Sequence, residues 1–204
     1  PFAEVCVAMH EGMSDDSILL HRGTKVRKCH TSRRDAFKTV NAEPLGRVIE
    51  GRVEMIAREY RPRDRSRELE LRPEFEPKVA LIKYHPGMDA SIIDWYVDRG
   101  YRGMVLEGTG LGHVGRQFYE PIERAVRAGV LVAMTSQCIW GRVRMTVYDT
   151  GMDLLARGVL PLEDMLPETA LVKMMWALGQ TDDIGEARRL MLTNIAWEIS
   201  PRTR

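Results

Sequence analysis

The segment from residue 79 to residue 135 constrains the fold most strongly, because apolar runs and amphipathic helical patterns alternate along it. The predicted order is strand 79–84, helix 90–99, strand 103–107, helix 117–128 and strand 130–135. Strands that alternate with helices in this way build βαβ units, and these units require a parallel sheet. The sequence therefore predicts an α/β fold.

The first predicted helix carries signals for its position as well as its type. Ile93 and Val97 are spaced by four residues, so they share one face of a helix with 3.6 residues per turn. Asp89 stands where it can cap the helix, and Gly100 stands where it can end it. Helix start, apolar face and helix end are thus all predicted from local sequence.

The loops that follow the predicted strands are the expected place for a ligand site. Right-handed crossovers bring the loop at 85–87 and the glycine-rich loop at 108–115 to the carboxyl edge of the sheet. Open α/β sheets bind ligands at that edge. The segment 136–138 follows the third strand to the same edge, and there a packing role is favoured over a functional one.

Strands are predicted before this segment and helices after it. The predicted strands before it are 2–9, 17–21 and a ribbon at 46–56 that turns near Glu50 and Gly51. The predicted helices after it are 150–157, 167–178 and 183–194, and these can cover the sheet. The first group contains no strong helical pattern.

Residues 58–77 are rich in charge and contain proline. This segment is too polar for burial and too long for a tight turn. We therefore predict an interdomain linker there, with one domain at 1–57 and a second at 78–204. The arginines of the linker are expected to be solvated, and contact with RNA or a protein partner is the alternative.

Composition excludes several classes of protein. Thirty basic and twenty-nine acidic residues leave a formal charge of +1, so no global field attracts the chain to nucleic acid or to a membrane surface. Three widely spaced cysteines favour reduced thiols and a cytoplasmic location. No apolar run reaches the roughly 18 residues of a membrane span, and the five histidines lack metal-ligand spacing.

The densest polar cluster is at residues 23–41, where lysines, arginines, hydroxyls and an aspartate crowd together. Such a cluster can bind phosphate, can hold a lysine near a hydroxyl nucleophile, or can be a solvated loop. The residues themselves leave these three alternatives open.

A resemblance changes the weight of these alternatives. The order G-x-x-V-x-K-x-x-T-x(5)-F-K-[ST]-V-N resembles the segment of asparaginases that supplies a catalytic lysine, and it places that lysine at Lys28. The passages PKVALIKYHPG, EGTGLGHV, TSQCIWGRV, YDTG and GVLPLEDMLPETALVKMMWALGQ resemble the carboxy-terminal domain of the same family. The resemblance covers essentially the whole chain. It implies an asparaginase-like α/β fold, with the end of an amino-terminal α/β domain at 1–57 and a smaller, doubly wound domain at 78–204.

Within that family, the passages MSDDSILLHRGTKVRKCHTSRRDAF and LPLEDMLPETALVKMMWALGQT are most similar to the asparaginase-type subunit of archaeal tRNA-dependent amidotransferases. This implies a homodimeric subunit that supplies ammonia from glutamine or asparagine. A companion E subunit would use ATP and magnesium to convert Glu-tRNA(Gln), while this chain would need no cofactor, no metal and no membrane. A free cytoplasmic L-asparaginase and a non-catalytic dimerisation or partner-binding module are the alternatives.

The resemblance also implies residue roles. Lys28 is expected to act as a desolvated ammonium held by partner groups, beside a threonine nucleophile and a Thr-Asp pair. The family motifs G-T-G-G-T-I and H-G-T-D do not occur in these 204 residues, so the chain alone is expected to be inactive. Because it opens at Pro1 and runs directly into an apolar stretch, we also expect that an amino-terminal part is missing.

The glycine-rich loop supplies the remaining candidates. In the family this loop lies near the active site of a neighbouring subunit, which implies that Thr109, Gly110 or His113 contacts substrate across a dimer interface. A tight strand-to-helix turn with no binding role is the alternative.

Overall fold

The computed structural model describes residues 2–202, and its first part consists of antiparallel strands. The strands are β1 Cys6–His10, β2 Ser17–Arg22, β3 Val26–Lys28, β4 Phe37–Thr39, β5 Gly46–Ile49 and β6 Arg52–Met55. Strands β1, β2, β5 and β6 form one sheet in the order β1-β2-β5-β6, while β3 and β4 pair as a separate hairpin. The hairpin was not predicted, because its sequence is basic and polar and lacks an apolar alternation.

The ribbon predicted at 46–56 is confirmed as the antiparallel pair β5 and β6. Its two turn residues, Glu50 and Gly51, have φ angles of 49° and 74°. Positive φ at both central residues suits a two-residue hairpin, since this backbone twist matches the twist of the strands. The predicted turn position is therefore correct.

The second part is a four-stranded parallel sheet. Its strands are β7 Val79–Lys83, β8 Gly103–Gly108, β9 Leu131–Ser136 and β10 Leu160–Pro161, in the order β10-β9-β8-β7. The first three were predicted. The fourth was not, since two residues carry no periodic signal and one of them is a proline, which a sheet tolerates at its edge.

Helices cover both faces of this sheet. They are α1 Ser91–Asp98, α2 Tyr119–Arg127, α3 Asp149–Ala156, α4 Pro167–Gln180 and α5 Ile184–Leu192. Alternate side chains of β8 enter different cores: Met104 and Leu106 pack with residues of α1 and α2, whereas Val105 packs with residues of α4 and α5. The predicted doubly wound α/β architecture is confirmed.

The first helix, predicted at 90–99, is found at Ser91–Asp98, one residue shorter at each end. Asp89 Oδ1 accepts a hydrogen bond of 2.9 Å from the backbone N–H of Ser91. Gly100 has a φ of 70°, the left-handed conformation that commonly ends a helix. These short-range signals needed no tertiary information.

Residues 58–77 contain no helix or extended strand, apart from a bridge between Phe2 and Pro62. The second half of this segment lies along α4. The backbone N–H of Glu76 donates to the Met175 carbonyl at 2.8 Å, and the Gln180 side chain donates to the Glu74 carbonyl at 2.8 Å. The division into domains at residues 57 and 78 stays a prediction.

A buried histidine in β2 gives a pH-dependence prediction. His21 is fully buried, and burial, with a smaller effect of Lys38, lowers its pKa below the ordinary 6.5. The folded state then binds fewer protons than the unfolded state at low pH. The part of the folding stability that depends on His21 is therefore fully present above pH 6.5, and it is lost as the pH decreases towards the lowered pKa. Urea titrations at several pH values should show this slope in the wild type and a shallower one in His21→Gln. An equal slope in both would contradict the prediction.

Candidate functional site

Two lysines of the polar cluster, Lys25 and Lys28, lie in opposite environments. Lys25 precedes β3 and is fully buried. Its Nζ donates to Asp164 Oδ2 at 2.7 Å and to the Asp164 carbonyl at 3.2 Å. Lys28 ends β3 and is exposed, with its Nζ 5.9 Å from the centre of the Phe37 ring.

The desolvated environment expected around Lys28 is therefore not formed by residues 2–202. Among these residues the Lys28 ammonium has neither a hydrogen bond nor an ion pair, whereas partner groups were expected to hold it. The physical reason is its place at the end of a short hairpin, where one ring, that of Phe37, lies beside it. The catalytic role of Lys28 stays a prediction.

Asp164 is the centre of a buried polar cluster that was not predicted. Its side chain is 1% exposed, and its Oδ1 accepts a hydrogen bond of 2.8 Å from the backbone N–H of Ser200. Asn41 donates to the Asp164 carbonyl at 3.1 Å and accepts from the backbone N–H of Gly141 at 2.8 Å. Burial lowers the pKa of Lys25, and the hydrogen bond to Asp164 opposes that shift. The cluster ties the strands of the first 57 residues to the parallel-sheet part.

The glycine-rich loop after β8 is a tight structure closed by its own backbone. The N–H of Thr109 donates to the His113 carbonyl at 2.9 Å, and the N–H of His113 donates to the Thr109 carbonyl at 3.0 Å. A Cβ at Gly108 would lie 2.9 Å from the backbone N and O of His113, so only glycine fits there. Gly110 has a φ of 50° and is exposed. The three predicted loop residues are therefore brought together, and their contact with substrate stays a prediction.

The side chain of His113 lies against the start of α3. Its Nδ1 is 3.0 Å from Thr150 Oγ1, and its ring centre is 5.6 Å from that of Tyr148. Its Nε2 is buried without a hydrogen-bond partner in the described part of the chain. Sequence reasoning did not select Thr150 or Tyr148 as site residues, although both belong to the Y-D-T-G passage that carried part of the resemblance.

The segment after β9 supports this loop. Ser136 Oγ donates to the Gly110 carbonyl at 2.7 Å. The Gln137 side chain donates to the Glu107 carbonyl at 2.9 Å and also to the Tyr84 carbonyl, so one amide joins the ends of β7 and β8. These hydrogen bonds hold the loop in place, and the packing role favoured for 136–138 stays a prediction.

Residues 2–202 offer no metal centre of their own. Within that range, no group of three or more histidine, cysteine, aspartate or glutamate side chains could hold a metal ion. Cys6, Cys29 and Cys138 are all free thiols. No helix in the described range has the length and apolar character that crossing a membrane requires.

Two models of the same protein family match this chain. Residues 78–191 match the family model described as the glutaminase/asparaginase C-terminal domain, and residues 1–61 match the model described as asparaginase, N-terminal. The chain belongs to the glutaminase/asparaginase family.

Similar curated proteins are named as the D subunit of glutamyl-tRNA(Gln) amidotransferase. The one from Pyrococcus abyssi is 54% identical over 203 residues, which are 99% of this chain and 46% of that protein. The one from Methanopyrus kandleri is 56% identical over 201 residues, which are 96% of this chain and 44% of that protein. The chain thus spans a little less than half the length of these relatives.

Similar solved structures are L-asparaginases. The thermostable L-asparaginase from Thermococcus kodakarensis has a TM-score of 0.84 and 35% identity, over 98% of this chain and 58% of that one. L-asparaginase I from Vibrio cholerae has a TM-score of 0.83 and 26% identity over the same shares. The predicted asparaginase-like fold is confirmed.

Proposed function

We propose that this chain is part of an amidohydrolase subunit that supplies ammonia to a tRNA-dependent amidotransferase. The observation that carries the proposal is the identity of 54% over 99% of the chain with a protein named as the D subunit of glutamyl-tRNA(Gln) amidotransferase. The proposed subunit hydrolyses the side-chain amide of glutamine or asparagine. A companion E subunit uses ATP and magnesium to activate Glu-tRNA(Gln), and the ammonia converts it to Gln-tRNA(Gln).

In this proposal the reaction has the logic of a catalytic triad. A threonine hydroxyl attacks the amide carbon, and a second threonine with its aspartate and a lysine handles the proton. Lys28 is the lysine of this set. The two threonines and the aspartate are supplied by sequence other than these 204 residues, and they would provide the covering that Lys28 lacks among residues 2–202.

The glycine-rich loop is the part of this chain that we propose to contact the substrate. The protein acts as a homodimer in the cytoplasm, and Thr109, Gly110 and His113 reach the substrate bound to the other protomer. Support comes from the rigid closure of the loop at the carboxyl edge of the parallel sheet, where α/β folds bind ligands.

The test is reconstitution with the complete protein and its companion E subunit. With Glu-tRNA(Gln), ATP, magnesium and glutamine, the mixture should form Gln-tRNA(Gln), and omission of either protein should stop the reaction. Formation of Gln-tRNA(Gln) that does not depend on the protein containing this chain would refute the proposal.

A free L-asparaginase is the second candidate, because the similar solved structures are L-asparaginases. That enzyme would release ammonia from asparagine without tRNA or ATP, and it would not support the formation of Gln-tRNA(Gln). Ammonia release from glutamine and asparagine, measured with and without the E subunit and tRNA, separates the two candidates.

A further prediction concerns the isolated 204-residue chain. It is expected to release no ammonia from glutamine, because the threonine nucleophile and the Thr-Asp pair of the family motifs do not occur in it. A coupled ammonia assay with the purified chain, whose folding is checked by circular dichroism, measures this. Steady catalytic release from pure chain would place the nucleophile within these residues instead.

A further inference from the structure

We infer that the arginine-rich segment at residues 58–67 is a surface that contacts phosphate groups of the tRNA. The inference rests on the proposed function, because that function supplies an RNA substrate. It goes further in giving this chain a direct contact with the RNA, through Arg63, Arg65 and Arg67.

The segment holds a local excess of positive charge. It contains five arginines and two acidic residues, Glu59 and Asp64, which leaves a charge of +3, whereas the whole chain has a formal charge of +1. It contains no lysine. Charge of one sign that is concentrated in a short segment attracts a polyanion locally, even where the whole chain is nearly neutral.

Three arginines of the segment have no carboxylate partner. Arg63, Arg65 and Arg67 are exposed, and within residues 2–202 none of their guanidinium groups has a hydrogen bond or an ion pair. The acid beside them, Asp64, is engaged by Ser66, whose backbone N–H and hydroxyl donate to Asp64 Oδ1 at 2.9 Å and 2.6 Å. An incoming phosphate would therefore meet three guanidinium groups without displacing an existing contact.

The segment is fixed near its start and beyond its end. The backbone N–H of Arg61 donates to Glu4 Oε1 at 2.8 Å, and the Arg61 side chain donates to the Ile195 carbonyl at 2.9 Å. Farther along, Trp176 Nε1 donates to the Arg72 carbonyl at 3.3 Å. Because the chain is held on both sides, less conformational freedom is lost when the loop binds a ligand.

The residue types favour phosphate over a protein surface. The planar guanidinium group donates two parallel hydrogen bonds to two phosphate oxygens. The centre of a protein interface is usually apolar and aromatic, and residues 61–68 carry no apolar side chain apart from Pro62. Leu69 and Leu71, which follow the segment, are 90% and 74% exposed, so a protein partner would be expected to use them.

The experiment replaces Arg63, Arg65 and Arg67 by glutamine together, in the complete protein bound to its companion E subunit. Affinity for tRNA(Gln), measured by fluorescence anisotropy, should fall at least about tenfold at about 0.1 M salt. The slope of log K against log salt concentration should become shallower by about 2, because each phosphate contact releases roughly one counterion. Ammonia release from glutamine in the absence of tRNA should be unchanged.

Two control variants separate a local contact from other effects. The first replaces by glutamine three exposed arginines that already pair with carboxylates, namely Arg124, Arg127 and Arg189. It removes the same total charge and should change the tRNA affinity less than about threefold. The second combines Leu69→Gln with Leu71→Gln, and it should alter neither the tRNA affinity nor the association with the E subunit.

Three results would each overturn the inference. The first is an unchanged tRNA affinity in the variant of Arg63, Arg65 and Arg67. The second is weaker association of that variant with the E subunit, as expected of a protein interface. The third is a lower melting temperature, which would mean that these arginines pair with acidic groups elsewhere in the complete protein. Failure of the proposed function is distinct, because the wild-type complex itself would then form no Gln-tRNA(Gln).

Discussion

In the complete protein, Lys28→Met is expected to lose amide hydrolysis by at least about a hundredfold, the usual size of a contribution from proton transfer by a positioned side chain. The lysine is the residue that the family motif assigns to the catalytic set, and methionine retains its length but not its charge. The folding of the variant should be unchanged, because the hairpin that carries Lys28 does not depend on its ammonium: among residues 2–202 this group has no hydrogen bond or ion pair. Steady-state ammonia release measures the loss, and a thermal melt checks the folding.

Lys38→Met is the matched control for that experiment. Lys38 lies on β4, opposite Arg27 in the same hairpin, and its Nζ is 3.0 Å from Asp35 in a partly buried ion pair. The substitution removes the same charge from the same hairpin, so near-normal activity is expected. Near-normal activity in a correctly folded Lys28→Met variant would refute the catalytic assignment of Lys28.

The second large effect is expected at the buried ion pair of Lys25 and Asp164. Both side chains are 1% exposed, so removal of either partner leaves the charge of the other in the interior without its 2.7 Å contact. Asp164 keeps a longer contact of 3.8 Å with Arg142. Lys25→Met and Asp164→Leu should each lower the free energy of unfolding by about 3 to 5 kcal/mol. The double variant should be more stable than either single variant, since it leaves neither charge unpaired. Chemical denaturation of the four proteins measures these differences.

An exposed ion pair is the control for the buried one. Arg34 and Asp15 form an ion pair in which the side chains are 47% and 70% exposed. Arg34→Met should therefore change the free energy of unfolding by no more than about 1 kcal/mol. If Lys25→Met were no more destabilising than Arg34→Met, the structural role of the buried pair would be disproved.

The sequence predicted the order of strands and helices in the parallel-sheet part almost completely. The signals were local: the helical spacing of Ile93 and Val97, the cap at Asp89 and the glycine at position 100 act within a few residues. The hairpin of β3 and β4 and the edge strand β10 escaped prediction. Their residues carry no apolar alternation, and their hydrogen bonds depend on the partner strand.

The position of the glycine-rich loop was predicted, and its role as a site stays a prediction. The sequence placed it at the carboxyl edge of the sheet, and the structure brings Thr109, Gly110 and His113 into one closed loop there. It did not identify the contact between His113 and Thr150, which are 37 residues apart. Such a contact depends on how α3 packs beside the loop, and a local pattern does not encode that packing.

The sequence by itself determined the family, the α/β class and the position of the lysine in the asparaginase motif, because each depends on residues close together in the chain. Only the tertiary structure decided which lysine of the cluster is buried. Lys25 and Lys28 are three residues apart in one basic segment, yet one is buried against Asp164 and the other is exposed. The partner of Lys25 lies 139 residues away, so its burial follows from the packing of the first strands on the parallel-sheet part.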